Sequence, residues 1–184
     1  MNVENLEALR YPVGPMPIHE KFEDGWFEVC LTNIKDFPEK LISFLDGFPP
    51  EFEQYTYRSG GWTSRQIVHH LSDSHVNAYI RLKLALTENL PTINPYNEVL
   101  WAEMSDTKLC SLNDSLLILQ GIHSRWHVLL ETMSESDFEK KYFHPGMKEY
   151  LTLSEMTRMY DWHLRHHFAH LVEAGNNFNK NILL

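Results

Sequence analysis

The sequence predicts an all-α protein, a four-helix bundle with long connections, and three observations carry that expectation. Thr63-Ser64-Arg65-Gln66 and Thr152-Leu153-Ser154-Glu155 both match the capping box, in which a threonine hydroxyl accepts from the third helical amide while the Gln or Glu side chain reaches back to the cap. Apolar residues recur at steps of three and four through the long segments, which is the spacing of one helix face. Alternating strand pattern is nearly absent: Tyr55-Thr56-Tyr57 is the one tempting piece, and it is too short to carry a sheet.

Taken in order, the opening stretch through Pro12, Gly14, Pro15 and Pro17 reads as an extended arm. A first helix is expected from about Glu20 to Leu45, with Trp26, Phe27, Val29, Cys30, Leu31 and Ile34 as apolar face and a kink or break at Pro38. Gly47, Pro49 and Pro50 close it, and residues 51–61 read as loop, ending in Ser59-Gly60-Gly61. The second helix starts at the Thr63 cap and runs to about Glu88. Pro91 and Pro95 then bracket a long irregular connection, Asn89 to Leu109, and connections of this length usually cover or bind something. A third helix is expected over Leu112–Met133, with Ser111 or Asn113 near its cap. A shorter helical segment should follow from Ser134 to Lys141, then a turn at His144-Pro145-Gly146. The last helix opens at the Thr152 box and is expected to stop at Gly175-Asn176.

Composition bounds the rest. The 184 residues suit a single domain, 1–184, and 43% apolar with 22% charged residues describes a globular chain. A net charge of −9 argues against a nucleic-acid backbone or an anionic membrane as partner. No apolar run reaches bilayer length, and the acidic N-terminus lacks the layout of a secretory signal. Cys30 and Cys110 lie far apart and form no CxxC motif, so each reads as a buried apolar residue rather than half of a disulfide, in a reduced, cytoplasmic protein.

The informative feature is where the histidines fall. Of eleven, seven lie in two stretches, His69-His70 with His75, and His163, His166, His167 and His170, both inside the capped helices. In the last helix Leu153, Met156, Tyr160, His163, His167, His170 and Ala174 form one stripe, so an inward face turns from apolar to imidazole in mid-helix. Buried ring nitrogens need partners. His163 and His167, at i and i+4, set two rings one turn apart, able to grip one ion, and imidazole is the commonest metal ligand among side chains. A third ligand should come from the second helix. Its stripe Ile67, His70, Ser74, Asn77, Arg81 is polar and suits a cavity, whereas Val68, Leu71, His75, Ala78, Leu82 suits packing, which favours His70 over His69 and His75. His166/His170 and His123/His127 are also i,i+4 pairs; His19, His123, His127 and His144 read as core histidines bonded to carbonyls.

These motifs resemble those of the DinB-like superfamily, in its YfiT branch. The resemblance is carried by Gly60-Gly61-Trp62-Thr63, Arg65-Gln66, Val68-His69-His70-Leu71, Asp73-Ser74-His75 and Tyr79-Ile80-Arg81, then Pro95-Tyr96 with Trp101, Tyr142 with His144-Pro145, and Trp162-His163 through His166-His167 to His170. It covers nearly the whole chain in order, from Tyr11-Pro12 onward. It implies a four-helix bundle with one divalent metal ion per chain, zinc or nickel, held by His70, His163 and His167, and a homodimer. It places His170 in the pocket lining or behind the ligands.

The resemblance implies one of two activities. One is a thiol S-transferase coupling a low-molecular-weight thiol such as bacillithiol to an electrophile, the reading favoured here. The other is a metal-dependent hydrolase; a non-catalytic metal- or thiol-binding protein is a third possibility. Three protein ligands leave a fourth position open, as in catalytic zinc sites, where water becomes a nucleophile and a thiol loses its proton. Asn77, Arg81, Tyr160 and His170 are the candidate pocket residues, and Asp73, three residues after His70, a candidate acceptor behind it. The Asn89–Leu109 connection, with Asn94, Tyr96 and Trp101, is expected at the pocket mouth. The sequence assigns no general acid or base.

Overall fold

The computed structural model describes the backbone of residues 3–182 and the side chains of 6–180. Its elements run α1 (Val3–Arg10), α2 (Trp26–Leu45), a 3-10 turn at Pro50–Gln54, α3 (Ser64–Thr87), α4 (Glu98–Trp101), α5 (Ser105–Leu109), α6 (Leu112–Glu131), α7 (Glu135–Phe138), β1 (Lys141–His144), β2 (Glu149–Thr152) and α8 (Leu153–Ile182). The four long helices form a bundle in which α6 packs on α2 and α3, and α8 packs on the same two. Consecutive helices α2 and α3 therefore lie across a diagonal, as do α6 and α8. A diagonal step needs more chain than a tight antiparallel turn, which accounts for the long connections. Among the described residues no helix is long and apolar enough to cross a membrane.

Both capping boxes form as expected. The Thr63 side chain accepts from the Gln66 amide while Gln66 Oε1 accepts from the Thr63 N–H, and Thr152 and Glu155 make the same exchange at the start of α8. The core between the helices holds Ile34, Leu41, Ile67, Val68, Leu71, Leu82, Leu119, Trp126, Leu130, Leu153 and Met156, all buried.

Several expectations need correction: α2 begins at Trp26 rather than near Glu20, Pro50–Gln54 forms a 3-10 turn where loop was expected, and the connection over 89–109 contains α4 and α5. The opening stretch is not all extended, because α1 occupies Val3–Arg10, a run of good helix formers that ends before Pro12. Pro38 neither breaks nor ends α2, which continues through it to Leu45. The segment after Ser134 is helical only as far as Phe138; Lys141–His144 then pairs with Glu149–Thr152 as an antiparallel hairpin around the expected turn. Its inward pair, Tyr142 opposite Leu151, is fully buried, so packing rather than periodicity makes this hairpin. Finally, α8 does not stop at Gly175 but runs on to Ile182. Gly175 is there for closeness: a Cβ built on it would lie 2.7 Å from the Phe48 ring.

The connection before α4 is tied to this hairpin. Ile93 donates to the Phe143 carbonyl and Phe143 to that of Pro91, at 3.0 and 2.8 Å, which holds Pro95–Asn97 over the end of the bundle where α3 and α8 meet.

Candidate metal centre

The α3 face that meets α8 carries His70, and the α8 stripe supplies His163 and His167. One ligand atom from each lies within 4.8 Å of the others, and the two Nε2 atoms of His70 and His163 are 3.2 Å apart. Two nitrogens bound at about 2.0–2.1 Å to one tetrahedral ion sit about 3.3 Å from each other. Two imidazoles at this distance share either a proton or a cation. His167 adds a buried Nδ1 with no hydrogen-bond partner among the described residues, a cost that a ligand role for the ring would help to offset. A donor set of three imidazoles suits a borderline divalent cation.

Burial keeps these rings neutral, the form in which imidazole ligates. It lowers the pKa of His70 to about 4, and those of His163 and His167 well below the ordinary value, with the neighbouring imidazoles adding to the effect. His163 is half-buried, and its exposed side opens on a cleft of about 720 Å³. Arg81, Tyr160, Tyr96 and His144 also line it.

The pocket candidates separate into two groups. Arg81 and Tyr160 are both buried in the cleft wall: the guanidinium donates to the Tyr160 hydroxyl at 3.2 Å and to the Asn94 carbonyl at 3.3 Å. No carboxylate pairs with Arg81 among the described residues. Burial raises the Tyr160 pKa against the opposing effect of Arg81, so the hydroxyl stays protonated. Asn77 instead spends its amide on the Asp73 carbonyl, and the Asp73 carboxyl makes no hydrogen bond to His70. Burial, with Asp106 adding to it, lifts that carboxyl to about 6. His170 lies on the far side of His167, stacked on Tyr57 at 3.9 Å and donating Nε2–H to the Arg10 carbonyl, which ties α1 to α8.

A second group of three, His166, His167 and His170, is also close enough to hold an ion. It shares His167 with the first but does not reach the cleft, and its His166 ring is stacked on Trp162 at 4.3 Å. Of the other α3 histidines, His69 bonds Ser115 at 2.8 Å and His75 lies behind His163, its Nε2 3.3 Å from His163 Nδ1. Ser74 and His144 also stand in the cleft wall, outside the pocket residues expected from the sequence. Ser74 shares the polar stripe with His70 and Arg81, a signal that was available. His144 comes from the hairpin, and nothing in its local sequence indicates where the hairpin docks. Tyr96, Asn97, Glu98 and Val99 do line the mouth, with Trp101 packed on Tyr96 at 4.4 Å.

Comparison with known proteins agrees with this architecture. A sequence profile of the DinB superfamily matches residues 34–171. The Bacillus subtilis protein named "putative metal-dependent hydrolase YfiT" is 41% identical over 171 residues, covering 91% of this chain and 94% of that protein. A Bacillus cereus relative, also named a putative metal-dependent hydrolase, is 42% identical over 178 residues, covering 95% and 99%. The solved structure of Bacillus subtilis YfiT, described as a probable metal-dependent hydrolase of unusual four-helix bundle topology, superposes with a TM-score of 0.88 at 38% identity over 94% of this chain and 98% of that one. The diagonal four-helix bundle, the histidines on its two capped helices and these matches together place the chain in the DinB superfamily, in its YfiT branch.

Proposed function

We propose that this chain is a metal-dependent enzyme in which His70, His163 and His167 hold one divalent ion, zinc or nickel, and that it transfers a small thiol to an electrophile. The observation that carries the reading is the 3.2 Å approach of two imidazole Nε2 atoms at the wall of a cleft. Bound there, the ion would supply a Lewis-acid position that lowers the pKa of a thiol or a water. The residues of the chain do the rest. Arg81, anchored by Tyr160, offers its remaining N–H groups to an anionic group on the substrate. His144, whose Nδ1 accepts from the Met147 amide, presents Nε2–H as a donor. Tyr96 and the segment after it narrow the mouth. In the transfer a sulfur–carbon bond forms, the thiol proton passes to solvent, and the leaving group departs with its electron pair.

The hydrolase reading is favoured by the names of the relatives and needs the same ligands. Elemental analysis of the native protein, followed by thermal-shift screening against small thiols and their S-methyl analogues, separates the two. A shift with thiols alone supports transfer; equal shifts, with hydrolysis of an ester or amide panel, support the hydrolase. The homodimer implied by the resemblance belongs to the same reading and is checked by light scattering.

A further inference from the structure

We infer that His75 and His123 are positioning residues for His163: a chain of three imidazoles, anchored on the Ile34 carbonyl, holds a proton on His163 Nδ1 and leaves its Nε2 as a bare lone pair beside His70. The inference rests on the reading of His163 as a metal ligand, although the proton arrangement can be measured without metal.

The chain starts at Pro38. Proline has no N–H, so in α2 it leaves the carbonyl four residues earlier, that of Ile34, without its helical partner. Ile34 is fully buried, and an orphaned carbonyl there is costly. His123 on α6 fills the place, with Nδ1 2.5 Å from the Ile34 oxygen. A carbonyl only accepts, so His123 Nδ1 must donate. A neutral imidazole has one N–H, and His123 Nε2 is therefore an acceptor.

That acceptor lies 2.7 Å from His75 Nδ1, which must donate, making His75 Nε2 an acceptor in turn. His75 Nε2 lies 3.3 Å from His163 Nδ1, which donates, and His163 Nε2 is left without a proton. Each assignment follows from the one before, beginning at an atom that has no choice. The reverse order would set two lone pairs against each other at the Ile34 oxygen.

The surroundings preserve this order. His75 and His123 are 0% and 1% exposed, and Phe37 and Trp126 pack against both rings. An N–H that donates to a fixed acceptor sets the tautomer and orientation of a ligating imidazole and raises its basicity. Here the acceptor is a histidine rather than a carboxylate, and its own proton is fixed by a backbone kept free by proline. His123 has the carbonyl partner expected of a core histidine, and through His75 it also reaches His163.

The test is proton placement in ¹⁵N-labelled, metal-free protein near pH 7.5, read from long-range ¹H–¹⁵N correlations. His123, His75 and His163 should each show a protonated Nδ1 and a bare Nε2. A proton on His163 Nε2 overturns the inference. Zinc affinity, measured by competition with a chromophoric chelator, should fall about 10- to 100-fold in His123→Leu. His123→Gln, whose amide can donate to Ile34 and accept from His75, should recover most of that loss. Equal losses in both variants would reduce His123 to packing and overturn the positioning role. If neither variant folds, the wild-type correlations decide. Wild-type protein that shows the stated protons yet retains no zinc overturns the metal reading and leaves the imidazole chain standing.

Discussion

Acid should destabilise the metal-free protein through its buried histidines, by about 3 kcal/mol between pH 6.5 and 5.5. Burial lowers His70, His123 and His170 to about 4 and His166 to about 3, against about 6.5 for an imidazole in the unfolded chain. A cationic form disfavoured by folding gives stability that is present above the unfolded pKa and lost as pH falls toward the folded one. Over this one unit the native rings stay neutral while each unfolded ring goes from half to about nine-tenths protonated, which costs about 1 kcal/mol per ring. Four rings give about 4 kcal/mol. Asp73 works in the opposite sense: raised to about 6, it takes a proton in the native state first and returns up to about 1 kcal/mol. His19, exposed between Glu149 and Glu155 and shifted upward by them, acts in the same direction as Asp73. His75, His163 and His167 add to the loss, so the net figure is a lower one. Urea unfolding in the presence of chelator at the two pH values measures it, with the slope against urea held as a check on two-state behaviour. A free energy of unfolding that is flat or rises on acidification would refute the burial of these rings.

Three further outcomes are expected. His70→Ala should lose stoichiometric metal while His166→Ala keeps it, as read by elemental analysis; the reverse would move the ion to the second histidine group, and His167→Ala should lose it in either case. Chelation should lower the melting temperature by about 5–10 °C, the effect of about 2.7 kcal/mol of binding at a hundredfold excess over Kd, without unfolding the chain. Its apolar core does not depend on the ion, and loss of helical circular dichroism at room temperature would contradict this. Arg81→Leu should raise KM for anionic substrates about 10-fold or more and leave neutral ones nearly unaffected, a difference that steady-state kinetics would show or exclude.

Much of the bundle was legible because its signals are local. Thr63 with Gln66, and Thr152 with Glu155, announce helix starts through contacts three residues apart, and both boxes form. The stripe from Leu153 to Ala174 needed only the helical period to put His163 and His167 on the buried side. What failed was punctuation read without its neighbours. Pro38 suggested a kink or a break, and the break does not occur: His123 takes up the carbonyl it frees and α2 continues. Gly175 looked like a stop, yet it makes room for Phe48. The strands at Lys141–His144 and Glu149–Thr152 are too short to show a period, and burial of Tyr142 and Leu151 against the bundle is what forms them.

By itself the sequence determined which residue types face inward on which helix, since spacing along one helix is a property of that helix alone. Three imidazoles on two inward stripes were thus predictable. Only the tertiary structure decided that His70 and His75, and not His69, meet His163, each at a different ring nitrogen. Those three residues span less than two turns of α3 yet have different partners: Ser115 for His69, the α8 pair for His70, and both His123 and His163 for His75. The choice among them depends on how α3 is rotated between α6 and α8. That rotation is set by the packing of the whole core between α3 and its neighbours α6 and α8, contacts that no period along α3 encodes.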